Sequence, residues 1–163
     1  MAERRKHSKP TSGEENIIAR NKKARFEYEV LDTFEAGIAL LGSEVKSLRN
    51  RDVNINDAFV RPRREELWLL GANIKPYAQA TIVNHEPLRP RKILLHRREI
   101  LRIVSRIAER GHTVVPLKMY WKHGKAKVLI GLVRGKRTYD KRETIKKRDA
   151  KRDMERALRR RNR

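Results

Sequence analysis

The chain has 163 residues, with 42 Lys or Arg against 20 Asp or Glu and a formal net charge of +22. Self-repulsion of that size opposes a compact state unless a polyanion screens it, which points to nucleic acid or an anionic membrane surface as partner. Cysteine is absent, which excludes disulfides, thiolate zinc sites and cysteine nucleophiles and fits a reducing cytoplasm.

Membrane contact is the weaker option, and no membrane partner is expected. No apolar run approaches the ~18–20 residues that span a bilayer. The longest, 128–133, is interrupted by Gly131 and reads as a strand. The opening MAERRKHSKP is basic with no apolar segment after it, so it does not read as a secretory signal. Hydrophobic residues at 38% and aromatics at 6% are few for a chain packed throughout, so part of it is expected outside the core.

Residues 1–20 are polar and rich in turn formers, and are expected to be a flexible N-terminal arm. Alternation begins at Phe26, Tyr28 and Val30, with Glu27 and Glu29 facing the other way, the pattern of a half-buried strand. Glu35-Ala36-Gly37 reads as a turn, 38–41 as a second strand, and Ser43 as the cap of a short helix over 44–49 with Val45 and Leu48 facing the core. Strands follow at 58–60 and 67–74 about a turn near 62–66. The proline-bearing stretch 76–90 is a long loop. A helix is expected over 95–110, with Ile100, Val104, Ile107 and Ala108 at helical spacing and Gly111 as its stop. Residues 113–121 and 125–134 form a hairpin about His123-Gly124.

From Lys136 the composition changes. Residues 136–163 hold 14 Lys or Arg against five acids, and Ile145, Met154 and Leu158 are their only aliphatic or sulfur side chains larger than alanine. Such a segment cannot bury enough surface to fold alone, and its charge pairs at helical spacing predict a tail disordered when free and helical on an RNA surface. The three-part reading is an arm (1–20), a domain (21–135) and a basic tail (136–163). The domain is mainly β with added helices, about six strands compatible with a partly open antiparallel barrel of the OB type.

Nothing points to catalysis. His7, His85, His96, His112 and His123 lie far apart without HExxH spacing. Acids are mostly interleaved with bases, as in Arg97-Arg98-Glu99, which suggests solvated pairs and not the isolated carboxylates of acid–base chemistry. No Walker, GxSxG or GxGxxG motif occurs, and no metal or cofactor is expected. Two basic clusters suit phosphate: 21–25 before the first strand, and Arg89-Pro90-Arg91-Lys92 leading into Ile93-Leu94-Leu95-His96. The leucines there serve equally as core or, with His96, as a stacking surface for unpaired bases.

Several stretches together resemble one family, small protein B or SsrA-binding protein, which binds transfer-messenger RNA in bacteria. They are Asn21-Lys22-Lys23-Ala24-Arg25, the run 34–40 (FEAGIAL), the run 42–49 (GSEVKSLR), Gly71-Ala72-Asn73-Ile74, the run 91–96 (RKILLH), Val114-Val115-Pro116-Leu117, the run 131–136 (GLVRGK), Asp140-Lys141-Arg142 and Ile145-Lys146. The likeness spans about residues 16–158.

It implies an OB-like barrel with added helices and no reaction catalysed. The protein would bind the tRNA-like domain of transfer-messenger RNA and deliver it to stalled ribosomes for trans-translation. The implied RNA face is Asn21, Lys22, Glu35, Arg91, Lys92, Leu94 and His96. The implied ribosome-binding tail residues are Lys136, Tyr139, Asp140, Lys141, Arg142, Ile145, Lys146 and Arg148. Tyr139 stands where the family can carry histidine; both rings stack on a base, but only histidine gains a proton near neutral pH. The implied partners are transfer-messenger RNA, the ribosome at its small-subunit decoding region and mRNA channel, and indirectly the translation elongation GTPase complex. The protein would act as a cytoplasmic monomer. A ribosomal protein or general RNA chaperone with an OB-type barrel would share the charge and barrel without a defined client. A small RNA-acting nuclease would need clustered acids for a metal, which the sequence lacks.

Overall fold

The computed structural model of the chain describes residues 16–80, 84–109 and 111–136, and within the tail 142, 145, 149–156 and 158. In chain order its elements are β1 (Asn16–Arg20), α1 (Ala24–Glu27), β2 (Tyr28–Ile38), α2 (Gly42–Arg49), β3 (Val53–Asn54), β4 (Phe59–Arg63), β5 (Glu66–Leu70), β6 (Asn73–Ile74), β7 (Arg91–Leu94), α3 (Arg97–Ala108), β8 (His112–Lys122) and β9 (Lys125–Gly135). The main sheet is antiparallel with the order β1-β8-β4-β5-β7-β2-β9, and β9 pairs with β8 as well; β3 and β6 form a separate two-stranded ladder. The fold is thus a mixed α/β arrangement dominated by an antiparallel sheet of OB-like topology.

Period-two alternation selects the core. From β9, Val128, Ile130 and Leu132 point inward to meet Phe34, Ala36 and Ile38 of β2 and Val114 and Met119 of β8. Leu67 and Leu69 of β5 and Ile93 of β7 complete the wall, while Leu48 of α2 and Ile103 of α3 pack onto it. A smaller cluster on the other side of the β8–β9 pair joins Val115 and Val133 to Ala24.

Several sequence expectations are corrected. The flexible arm assigned to 1–20 does not extend to residue 20: Asn16 to Arg20 form β1 along β8, with Ile18 buried in the core. An available edge on β8 and a β-branched pair, Ile17-Ile18, account for the strand. Residues 1–15 lie outside the described residues. Phe26 belongs to α1, so the first long strand starts at Tyr28.

The turn expected at Glu35-Ala36-Gly37 is absent, because β2 runs through it without a break. Gly37 has Leu94 opposite on one side and Lys127 on the other, and a Cβ there would meet the Leu94 Cβ at 3.2 Å. This glycine permits a close strand approach and is not a bend. The strand expected over 67–74 is split at Gly71, whose φ of +71° turns the backbone aside. The helix expected from 95 starts at Arg97, since Leu94 is still strand. Ser43 lies inside α2, whose N-terminal flank is Leu41; the Leu41 N–H donates to Glu44 Oε2 at 2.7 Å.

The two expected hairpin turns are present. Arg64 and Glu65 (φ 49° and 61°) and His123 and Gly124 (φ 49° and 71°) make two-residue connections with positive φ at both positions, the geometry that matches strand twist. Where the sequence predicts a tail disordered when free, the residues described from 142 onward are helical and exposed, while Lys136 is non-helical and half-buried. Asp149–Arg152 and Asp153–Arg156 pair three apart along that helix, so local charge spacing supports it without a packed face.

Candidate nucleic-acid interface

The ends of β2 and β7 and the β8–β9 turn converge with the first turns of α2 and α3 around an open groove of about 660 Å³. Glu35, Ile38 and Leu40 come from β2 and the residues after it, Leu94 from β7, His96 and Glu99 from the start of α3, and Trp121, Lys125 and Lys127 from the hairpin. Three of the residues expected on the RNA face, Glu35, Leu94 and His96, therefore meet in one place although about sixty positions separate the first from the others in sequence. Leu94 is 49% exposed, which decides its reading: it is groove wall and not core. Leu95, its neighbour, is half-buried and packs against the core.

Glu35 is the best-defined polar group of the groove. Its Oε2 accepts the Tyr120 hydroxyl at 2.6 Å and the Lys122 ammonium at 2.9 Å, and its Oε1 accepts Lys122 at 3.0 Å. The Tyr120 bond, aided by Lys122 and by the charge of Lys127, outweighs burial and holds the carboxyl below its ordinary range. The groove thus offers apolar walls, the cations Lys125 and Lys127 and the Glu35 carboxylate as an acceptor, a set suited to an unpaired nucleotide flanked by phosphates. Among the described residues no group of three or more His, Asp or Glu is placed to hold a metal.

Other expected contacts lie elsewhere. Arg91 is wholly buried: Nε donates to Glu44 Oε1 at 2.8 Å, Nη1 to the Ala72 carbonyl at 2.6 Å and Nη2 to the Pro87 carbonyl at 3.0 Å. It cannot touch RNA, and its place on the RNA face is corrected to a structural one. Basic character in the sequence does not tell a buried guanidinium from a surface one; the partner, Glu44, is 47 positions away.

Asn21 is likewise structural. Its Nδ2 donates to the carbonyls of Ile55 (3.1 Å) and Pro116 (3.0 Å), and its Oδ1 accepts the N–H groups of Lys23 (3.1 Å) and Ala24 (2.9 Å). That fills the amide's capacity. Lys22 beside it is exposed and keeps its role as a candidate phosphate contact. Lys92 is half-buried and paired with Glu66, outside the groove lining.

In the tail, Lys136 Nζ donates to the Arg25 carbonyl at 2.8 Å, anchoring the tail's start to α1. Arg142 and Ile145 are exposed helical residues. Tyr139, Asp140, Lys141, Lys146 and Arg148 lie outside the described residues. Trp121, Lys125 and Lys127 of the groove, and Tyr120 and Lys122 bonded to Glu35, were not singled out from sequence. The available signal was the Lys125-x-Lys127 spacing of a strand, which puts both on one face.

A family model described as SmpB protein matches residues 18–160, nearly the whole chain. The chain belongs to the SmpB family. The SsrA-binding protein of Lacticaseibacillus casei is 51% identical over 144 residues, covering 88% of this chain and 92% of its own length. The SsrA-binding protein of Listeria monocytogenes is 50% identical over 149 residues, covering 91% and 97%. A chain of the solved structure "tmRNA-SmpB: a journey to the center of the bacterial ribosome" superposes with a TM-score of 0.63 at 45% identity, covering 78% of this chain and 93% of that one. Membership in the SmpB family joins a groove fit for an unpaired nucleotide to a family whose relatives carry the name of the RNA they bind.

Proposed function

We propose that the chain binds the tRNA-like domain of transfer-messenger RNA through the groove of Glu35, Leu94 and His96, and delivers that RNA to stalled ribosomes for trans-translation. The observation that carries this reading is the meeting of those three side chains in one groove in a chain of the SmpB family. The role is binding and presentation, with no bond made or broken. Lys22 and the rim lysines Lys125 and Lys127 add phosphate neutralisation, which makes the affinity fall as salt rises.

The domain acts as a partly open barrel that reads RNA shape. The tail, from Lys136 onward, enters the mRNA channel of the small subunit near the decoding region; Tyr139, Asp140, Lys141, Arg142, Ile145, Lys146 and Arg148 are its proposed contacts. The elongation GTPase takes part only indirectly. The setting is the cytoplasm; among the described residues no helix is long and apolar enough to cross a membrane.

A truncation tests the division of labour. Removing residues 136–163 leaves affinity for a transcript of the tRNA-like domain intact and abolishes tagging of stalled chains in a reconstituted translation system. Equal loss of both would contradict it. Displacement of the bound transcript by unrelated duplex RNA at equal concentration would contradict the client itself.

A further inference from the structure

We infer that Tyr120 and Lys122 are positioning residues that fix the Glu35 carboxylate as a charge-balanced acceptor for one hydrogen-bond donor of the RNA, and that Lys122 is not a phosphate contact. This rests on the groove being the RNA site. Glu35 lines the groove, whereas neither Tyr120 nor Lys122 does. Both reach the carboxylate across β9 from the same face of the sheet: Glu35 is opposite Leu129, and Tyr120 is opposite Lys127.

Tyr120 is a firm base for this contact. It is 1% exposed, and the Lys118 ammonium lies 4.7 Å from its ring centroid. A rigid phenol that donates at 2.6 Å fixes the carboxylate plane. Oxygen capacity then decides what remains for a ligand. Oε2 already accepts two bonds, from Tyr120 and Lys122, and Oε1 accepts one, from Lys122. One acceptor direction on Oε1 is left.

Charge supports the same reading. A bare carboxylate on an RNA-binding face repels phosphate. The Lys122 ammonium, within 3.0 Å of both oxygens, cancels that repulsion and leaves the directional acceptor in place. The donor it would take is a base N–H or a ribose 2′-hydroxyl, the groups an unpaired nucleotide presents.

The test measures affinity of the full chain for a transcript of the tRNA-like domain over a range of salt. Tyr120→Phe is expected to lose about tenfold in affinity with an unchanged salt slope, and to cause no further loss when Glu35→Gln is already present. Lys122→Met, at a part-exposed position that leaves the fold alone, is expected to weaken binding with the salt slope also unchanged. Wild-type affinity in Tyr120→Phe, full additivity with Glu35→Gln, or a slope lowered by about one in Lys122→Met would each overturn the inference.

A thermal melt of Tyr120→Phe separates loss of fold from loss of contact, and Lys122→Met carries the test if that variant melts early. Repeating the cycle on a probe with 2′-deoxy loop nucleotides identifies the donor: a persisting Tyr120→Phe loss assigns the base edge, a vanished one the ribose, and either places a donor on Glu35. If Glu35→Gln and Leu94→Ala both bind at wild-type strength, the groove reading falls and this inference with it. That pattern is distinct from weakening in those two alone, which would remove only the positioning role.

Discussion

Glu44 and Arg91 hold each other in the interior, 2.8 Å apart with both side chains at 0% exposure. Arg89 adds a second guanidinium to the same carboxylate at 2.7 Å. This cluster ties α2 to β7 and, through the Ala72 and Pro87 carbonyls, to the connections on either side of β6. The cluster thereby joins the two elements that bring Val45 and Leu94 to the groove.

Removing one partner strands the other in low dielectric. Arg91→Met is expected to cost about 3–5 kcal/mol of folding stability, read from urea denaturation. Arg91→Lys is not expected to restore it, because an ammonium cannot reach three acceptors in a fork. A loss below about 1 kcal/mol would show that the cluster rearranges freely.

The same carboxylate governs acid sensitivity. Burial pushes the Glu44 carboxyl up, but the bonds from Arg89 and the Leu41 N–H and the charge of Arg91 outweigh it and hold the group below its ordinary value of 4.5. The unfolded chain therefore binds this proton more readily than the folded one. Glu44's contribution is complete above that value and is lost as pH falls through the lowered folded value. Stability measured below pH 4.5 is expected to fall less steeply in Glu44→Gln than in the parent; parallel slopes would contradict the assignment.

Asn21 and Lys22 are neighbours with opposite expectations. Asn21→Ala removes four hydrogen bonds, two to the carbonyls of Ile55 and Pro116 and two from the N–H groups of Lys23 and Ala24 at the start of α1, and is expected to cost about 1–3 kcal/mol in thermal or urea melts. Lys22→Ala leaves the melt unchanged and lowers the salt slope of RNA binding by about one. An Asn21→Ala variant as stable as the parent, but weaker for RNA, would return that residue to the binding face.

Leu94 and His96 are exposed in the groove, so their loss is expected in binding and not in folding. Leu94→Ala shifts stability by less than about 1 kcal/mol while weakening the tRNA-like transcript about five- to tenfold. A large drop in melting temperature would mean that Leu94 packs inward after all.

Gly71 carries a backbone constraint. At φ +71° an added Cβ would stand 2.9 Å from the Asp57 carbonyl oxygen, so Gly71→Ala combines a left-handed backbone with a clash against main chain. A loss of about 1–3 kcal/mol is expected, whereas Gly124→Asn, in open space at a turn that asparagine tolerates, is expected to be near neutral.

Much of this was legible in the sequence. The two-residue turns, the proline-bearing loop, α3 and the β8–β9 hairpin follow from turn chemistry and periodicity, which are local signals. The stretches 34–40 and 91–96 carried the family likeness and with it Glu35, Leu94 and His96. What stayed hidden was long-range. Arg91 reads as one more surface cation until Glu44 is found beside it, and Asn21 reads as polar loop until Pro116, 95 positions on, supplies a carbonyl. Gly37 is misread for the opposite reason: a glycine is a local turn signal, but here a neighbouring strand required it. Tyr120 and Lys122 belong to the long-range class, since only the register of three strands brings them beside Glu35.

β4 and β8 share a single register pair, Val60 with Val114, whereas β2–β9 and β8–β9 are laced along most of their length. One stitch between two well-knit ribbons is where local opening is expected first. Amide protons along that seam are expected to exchange ahead of those in β9, with the slab bearing Glu35, Tyr120 and Lys122 as the slower-exchanging part.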